Sequence, residues 1–80
     1  MEINIEDFIL HLEEEFEEDI LQGSLKPDTQ LEKAIALTSV NALILISMVK
    51  VEYDIELTAQ DLNKCKTIND LFETIKNKKK

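Results

Sequence analysis

Tryptophan is absent from this 80-residue sequence, and glycine, proline, cysteine, histidine and tyrosine occur once each. One glycine (Gly23) and one proline (Pro27) supply too little turn chemistry for a series of hairpins, which argues against a sheet-based fold. A single cysteine, Cys65, excludes an internal disulfide, and no apolar leader-like run opens the sequence, so a cytoplasmic location is expected. A single histidine, His11, lacks the companions a metal site needs and is read as structural or exposed. Cys65, with no second thiol or histidine nearby, is read as a small buried apolar residue. No nucleophile–histidine–carboxylate set and no glycine-rich phosphate loop is present, so the chain is not expected to be an enzyme. Positive charge is scarce: 9 Lys and Arg against 17 Asp and Glu leave a net charge of −8. Such a field repels nucleic acid and anionic membranes and favours partners with basic patches. The longest apolar run, residues 40–49, is interrupted by Asn41 and Ser47 and is too short to span a bilayer.

What remains is rich in Leu, Glu and Lys, residues that favour helices, with only three Phe to supplement an aliphatic core. Residues 1–80 are therefore expected to form a single all-α domain, a small helical bundle. Ile5, Phe8, Ile9, Leu12, Phe16 and Ile20 recur at spacings of three and four, predicting a first helix over residues 4–21. Asn4 can cap it with Asp7 three residues on, and Gly23 sits where a left-handed residue closes a helix. Its other face carries Glu13, Glu14, Glu15, Glu17, Glu18 and Asp19, a solvated face first and a docking surface for a basic partner second. Residues 24–37 form a long connection, anchored by Leu25, Leu31, Ile35 and Leu37. Thr58 or a neighbour can cap a short helix over residues 59–63. Thr67, with Asp70 in the third position, can cap a last helix over residues 68–76. Lys76, Lys78, Lys79 and Lys80 complement the negative end of that helix, with the last of them expected to fray.

The organising stretch is residues 37–57, where Thr38 and Ser39 open an apolar helix over residues 39–53 and an acidic turn closes it. Two readings of its start stand side by side. Thr38 and Ser39 can both be capping residues, satisfying the free N–H groups of the first turn. Alternatively, Ser39 carries a phosphate-linked group, which those same N–H groups and the positive end of the helix dipole would stabilise. The helix is apolar nearly all round. Leu43, Ile46 and Tyr53 are expected near one side, while Val40, Ile44, Met48 and Val51 spread the apolar surface, leaving a partly exposed face.

Taken in order, these elements resemble the acyl carrier proteins over nearly the whole chain. Thr38-Ser39-Val40 stands where that family has Asp-Ser-Leu. Val49-Lys50-Val51-Glu52-Tyr53 then matches its helix end, followed by the acidic turn Asp54-Ile55-Glu56-Leu57. Lys66-Thr67-Ile68-Asn69-Asp70-Leu71-Phe72 is similar to the segment that opens its last helix. The resemblance implies a four-helix bundle of acyl-carrier type with a long loop between the first two helices. It further implies that Ser39 is the attachment site of a phosphopantetheine derived from coenzyme A. On that arm acyl or aminoacyl groups would travel as thioesters between partner enzymes of fatty-acid, polyketide or specialised lipid biosynthesis. Those partners are a phosphopantetheinyl transferase and acyl-transferring and ketosynthase-type enzymes, met by a monomer through Val40, Ile44, Val51, Glu52, Asp54 and Glu56. A gap between helices lined by Leu43, Ile46 and the loop anchors could shelter an acyl chain. The sequence departs from the family in the missing aspartate before the serine and in a second helix that shows Asn41, Ile44, Lys50 and Val51 where glutamates are usual. These departures sustain an alternative reading, an unmodified helical protein-interaction module with the same fold.

Overall fold

The computed structural model describes residues 3–18, 20, 23–36 and 38–78. Within them five α-helices follow one another: α1 (Ile5–Glu15), α2 (Leu31–Ala34), α3 (Ser39–Tyr53), α4 (Ala59–Lys64) and α5 (Ile68–Lys78). The fold is all-α, and the four expected helices are joined by a single extra helical turn, α2, inside the long connection. Among the described residues the only extended pairing is an isolated antiparallel bridge between Gln30 and Thr67.

Local chemistry sets the helix starts. The Asn4 side chain accepts from the Asp7 N–H at 2.8 Å. Thr58 and Asp61 form a reciprocal capping box at the head of α4. Thr67 and Asp70 do the same for α5, with the Asp70 N–H donating to Thr67 Oγ1 at 3.1 Å and the Thr67 N–H to the Asp70 carboxylate at 3.2 Å. α5 extends through Lys78, two residues beyond its expected end, and Lys78 reaches Asp61 at 3.2 Å. Lys79 and Lys80, expected to fray, lie outside the described residues.

α1 departs from expectation. It ends at Glu15 rather than near residue 21, with Phe16 as its C-terminal cap. Its last turn carries no basic residue, so successive glutamates repel one another and oppose the negative end of the helix dipole. Gly23 is left-handed, as expected, with φ of 86°, but it serves the connection and does not close α1. The acidic run also splits. Glu13 is buried, and its Oε2 accepts from the N–H groups of Gly23 (2.8 Å) and Leu25 (3.3 Å), so it is a fastener for the connection and no part of a solvated face. Asp19 lies outside the described residues.

One apolar core unites the chain. Phe8 of α1 is fully buried and stands 6.0 Å, centroid to centroid, from both Tyr53 of α3 and Phe72 of α5. Edge-on and tilted ring contacts of this kind add to the area Phe8 removes from water. Leu12, Leu45, Val49, Ile68, Leu71 and Ile75 complete the centre. Cys65 is buried as expected; its Sγ donates to the Asp61 carbonyl at 3.1 Å, and burial pushes its thiol pKa up, away from reactive thiolate.

The connection before α3 is held firmly. Leu25, Leu31 and Ile35 are buried anchors; Leu37 lies outside the described residues. Backbone hydrogen bonds tie the connection to the head of α5: Leu31 N–H to Lys66 carbonyl at 2.8 Å, Ile68 N–H to Thr29 carbonyl at 3.0 Å, and Asn69 N–H to Pro27 carbonyl at 2.8 Å. Held by these bonds, the connection leads toward Thr38.

His11 has a defined place in this frame. Its Nδ1 is 2.9 Å from the Tyr53 hydroxyl, and its Nε2 is 3.9 Å from Glu52. It thus links α1 to the end of α3, a structural role. Burial, and secondarily the carboxylates of Asp7 and Glu52, push the Tyr53 pKa up to about 12. The protonated hydroxyl is the form the fold favours. Its contribution to stability is complete below the ordinary tyrosine value near 10 and disappears as pH rises from there through about 12. Tyr53 is the only tyrosine, so absorbance during alkaline titration reports it directly. A midpoint well above 10 in the native protein, falling to the ordinary value in urea, is the expected result; equal midpoints would refute the buried placement.

Candidate functional site

α3 begins at Ser39. Thr38, in extended conformation, is the N-cap: its Oγ1 accepts from the Asn41 N–H at 3.1 Å, and its carbonyl from the Ala42 N–H at 2.8 Å. Asn41 reinforces the junction by donating from Nδ2 to the Ala36 carbonyl at 2.8 Å, which locks the connection against the first turn. Thr38 therefore performs the capping duty, which leaves the Ser39 side chain exposed and uncommitted to the cap. The N–H groups of Ser39 and Val40 belong to the set that an α-helix leaves without intrahelical partners. No acidic residue lies in the first turn of α3. A serine oxygen at this point thus faces solvent, beside the positive end of a 15-residue helix and away from any first-turn carboxylate.

Thr38→Ala removes the cap alone. A loss of about 0.5–2 kcal/mol in urea unfolding is expected, whereas Thr38→Asp, which preserves an acceptor and adds favourable charge at the helix start, should retain the wild-type midpoint or raise it.

Which way the rest of α3 faces was not readable from its apolar pattern. Leu45, Met48, Val49 and Tyr53 point into the core, and Ile46 is partly buried against it. Leu43 corrects the expectation: it is 63% exposed and lines an open groove beside Glu15, not a gap shared with Ile46 and the loop anchors. It belongs instead to an outward stripe with Val40 (65% exposed), Ile44 and Val51 (80% exposed). The physical reason is simple. A helix apolar all round offers no polar face to mark its outside, so the direction is set by the neighbours it packs against.

The six residues expected to meet partners separate into two groups. Val40, Ile44 and Val51 share the outward face, spread along about 16 Å of helix below Ser39. Glu52, Asp54 and Glu56 gather at the far end. Glu52 is the neighbour of His11. Asp54 is the left-handed C-cap, with φ of 57°. Asp54 and Glu56 both engage Lys50, at 3.2 and 3.7 Å, and the ammonium pKa is raised chiefly by its hydrogen bond to Asp54. Glu15, expected first as solvated face and second as docking surface, and Ser47, which sequence reasoning did not single out as a site residue, join Leu43, Ile44 and Val51 around a groove of about 360 Å³ between the end of α1 and α3. Only the three- and four-residue spacing of Ile44, Ser47, Met48 and Val51 hinted at it.

Among the described residues no group of His, Cys, Asp and Glu could hold a metal ion, and no helix is long and apolar enough to cross a membrane.

Fold and site together define a small helical protein that presents an exposed serine at a capped helix start, beside an uncovered apolar face. A family model described as the phosphopantetheine attachment site matches residues 9–75. The chain belongs to that family, as a member of acyl carrier type, and the prosthetic group of the family is a covalently held phosphopantetheine. No curated protein and no solved structure gives a significant match.

The start of α3 fits such a group on its own chemistry. Ser39 is an accessible hydroxyl, the free N–H groups favour an anion, and Thr38 in the place of an aspartate spares a phosphodiester a neighbouring negative charge.

Proposed function

We propose that Ser39 is the residue that carries the phosphopantetheine, and that the protein, one monomeric carrier domain, delivers acyl or aminoacyl groups to enzymes of fatty-acid, polyketide or specialised lipid biosynthesis. The observation that carries this reading is the position of Ser39, exposed at the capped start of α3 within the span that matches the family. When bound, the group supplies a flexible thiol-ended arm on which acyl groups are held as thioesters.

The chain's own residues do the rest by presentation. Thr38 and Asn41 fix the helix start, so that the Ser39 oxygen projects into solvent where a phosphopantetheinyl transferase can reach it. The Ser39 and Val40 N–H groups favour the phosphodiester charge. The buried anchors and the backbone bonds to α5 keep the connection from folding over the serine. Val40, Ile44 and Val51, with Glu52, Asp54 and Glu56 beyond them, form the face for the transferase and for acyl-transferring and ketosynthase-type enzymes. The carrier itself catalyses nothing; it raises the local concentration of the tethered group at each partner.

Intact mass spectrometry tests this. After incubation with coenzyme A and a broad-specificity transferase, a single added phosphopantetheine, located by fragmentation to Ser39, is expected. Addition at another residue would overturn the site. No addition, even with the transferase of the source organism, would favour an unmodified interaction module.

A further inference from the structure

Four helices, α1, α3, α4 and α5, open on a polar side chain paired with the residue three places on, and in three of them that residue is an aspartate. In α1 the Asp7 carboxylate accepts from the Asn4 side-chain amide at 3.1 Å. In α4 the Asp61 carboxylate accepts from the Thr58 N–H at 3.0 Å, and in α5 the Asp70 carboxylate accepts from the Thr67 N–H at 3.2 Å. α3 differs. The residue three places after Thr38 is Asn41, and its side chain donates where the aspartates accept, from Nδ2 to the Ala36 carbonyl at 2.8 Å. The Thr38 N–H donates to that same carbonyl at 2.9 Å. One carbonyl thus receives two donors, one from each side of Ser39, and the half-buried Asn41 closes a loop of neutral hydrogen bonds around the serine. Residues 34–49 carry no charged side chain, so charge plays no part within this junction.

Asparagine in the place of aspartate has a physical meaning. At the third position of a helix a carboxylate is the better choice for stability, because it completes a capping box and lies at the positive end of the dipole. An amide forgoes that and gains donors, which a carboxylate lacks. What the donor secures is the backbone just ahead of the serine. We infer that Asn41 is a positioning residue for the loading of Ser39: its amide holds residues 36–38 against the first turn of α3 in the arrangement that offers the serine hydroxyl to a transferase. The inference rests on Ser39 as the attachment residue, and adds the neighbour that governs how fast it is loaded.

Asn41→Asp is the decisive variant, because stability and positioning then move in opposite directions. The new carboxylate keeps the shape, accepts the Thr38 N–H as the aspartates of α4 and α5 do theirs, and strips the Ala36 carbonyl of both donors. Asn41→Ala removes the donor without adding charge. Both are compared with the wild-type chain in loading by coenzyme A and a broad-specificity transferase, at high salt, where attraction between the new charge and the enzyme is screened. The kcat/KM of loading is expected to fall roughly three- to tenfold in each variant, the factor that one intramolecular hydrogen bond is worth. The urea midpoint of Asn41→Asp is expected to equal or exceed that of the wild type. In nuclear magnetic resonance spectra of Asn41→Asp, the Ala36 carbonyl and Thr38 amide signals should move. The Ala42 N–H, bonded to the Thr38 carbonyl, should keep its wild-type exchange rate. Loading that follows stability, slowed in Asn41→Ala and normal in Asn41→Asp, would overturn the inference and leave Asn41 a structural residue. A loss confined to Asn41→Asp would assign the effect to charge and overturn it too. So would wild-type rates in both variants, or an Ala36 carbonyl signal that does not move. Fragmentation of the loaded wild-type chain reports separately on the attachment reading. A group found elsewhere, or none, would remove Ser39 and with it the role given to Asn41, before any variant is compared.

Discussion

Ser39→Ala is expected to abolish phosphopantetheine loading while leaving the fold close to wild type. The separation of these effects follows from the division of labour at the head of α3. Thr38, not Ser39, accepts the Asn41 N–H, so replacing Ser39 removes no cap. Ser39 is exposed and buries no apolar surface, and alanine has a higher helix propensity at this position. The change in unfolding free energy should lie within about ±0.5 kcal/mol, the range of ordinary surface substitutions. Loading, measured by intact mass after incubation with coenzyme A and transferase, should fall from complete to undetectable, because alanine offers no nucleophilic oxygen. The contrast with Thr38→Ala is informative: that variant should lose stability yet remain loadable. If Ser39→Ala were still modified, the attachment site would be elsewhere. If it lost as much stability as Thr38→Ala, the division between cap and attachment residue would be wrong.

Glu13→Ala is expected to cost about 2–4 kcal/mol, the largest stability effect of any acidic residue among those described. The side chain is buried, and one carboxylate oxygen holds two backbone N–H groups. Gly23 is exposed, so its N–H can return to water at modest cost. Leu25 is buried, so its N–H would be stranded, and a stranded buried donor costs about 1–3 kcal/mol. Loss of hydrogen bonds to a charged acceptor supplies the remainder. A chain of this length has roughly 4–12 kcal/mol in total, so the variant should be visibly destabilised in urea. Glu13→Gln keeps an acceptor and should lose only about half as much, whereas Glu14→Ala, on the exposed part of the same run, should lie within about ±0.5 kcal/mol. Equal effects at Glu13 and Glu14 would refute the fastener.

These two residues also mark what sequence could and could not reveal. Helix starts are written in short polar spacings, Asn4 with Asp7 and Thr67 with Asp70, because a cap is satisfied within three residues. The Thr38–Ser39 pair before a long apolar run marked the start of α3 for the same reason, and with it the candidate serine. Glu13 looks like its acidic neighbours because its partners lie ten and twelve residues away across a turn. The pairing of His11 with Tyr53 spans 42 positions and leaves no local trace. The outward direction of Leu43 was likewise hidden, since nothing within α3 distinguishes it from Leu45. Local hydrogen bonding is legible; the choice of which apolar or acidic residue turns inward depends on the far side of the bundle.

The backbone bonds between residues 27–31 and residues 66–69 carry a consequence for how the protein is born. A ribosome releases the connection and α3 long before it releases the head of α5. Until Lys66, Ile68 and Asn69 emerge, Pro27, Thr29 and Leu31 lack those partners, and the approach to Ser39 is not yet set. A nascent chain stalled ahead of α5 would thus expose its serine on an unfastened tether. The approach to Ser39 thus takes its final form only after the head of α5 has been made, an order imposed by the direction of synthesis.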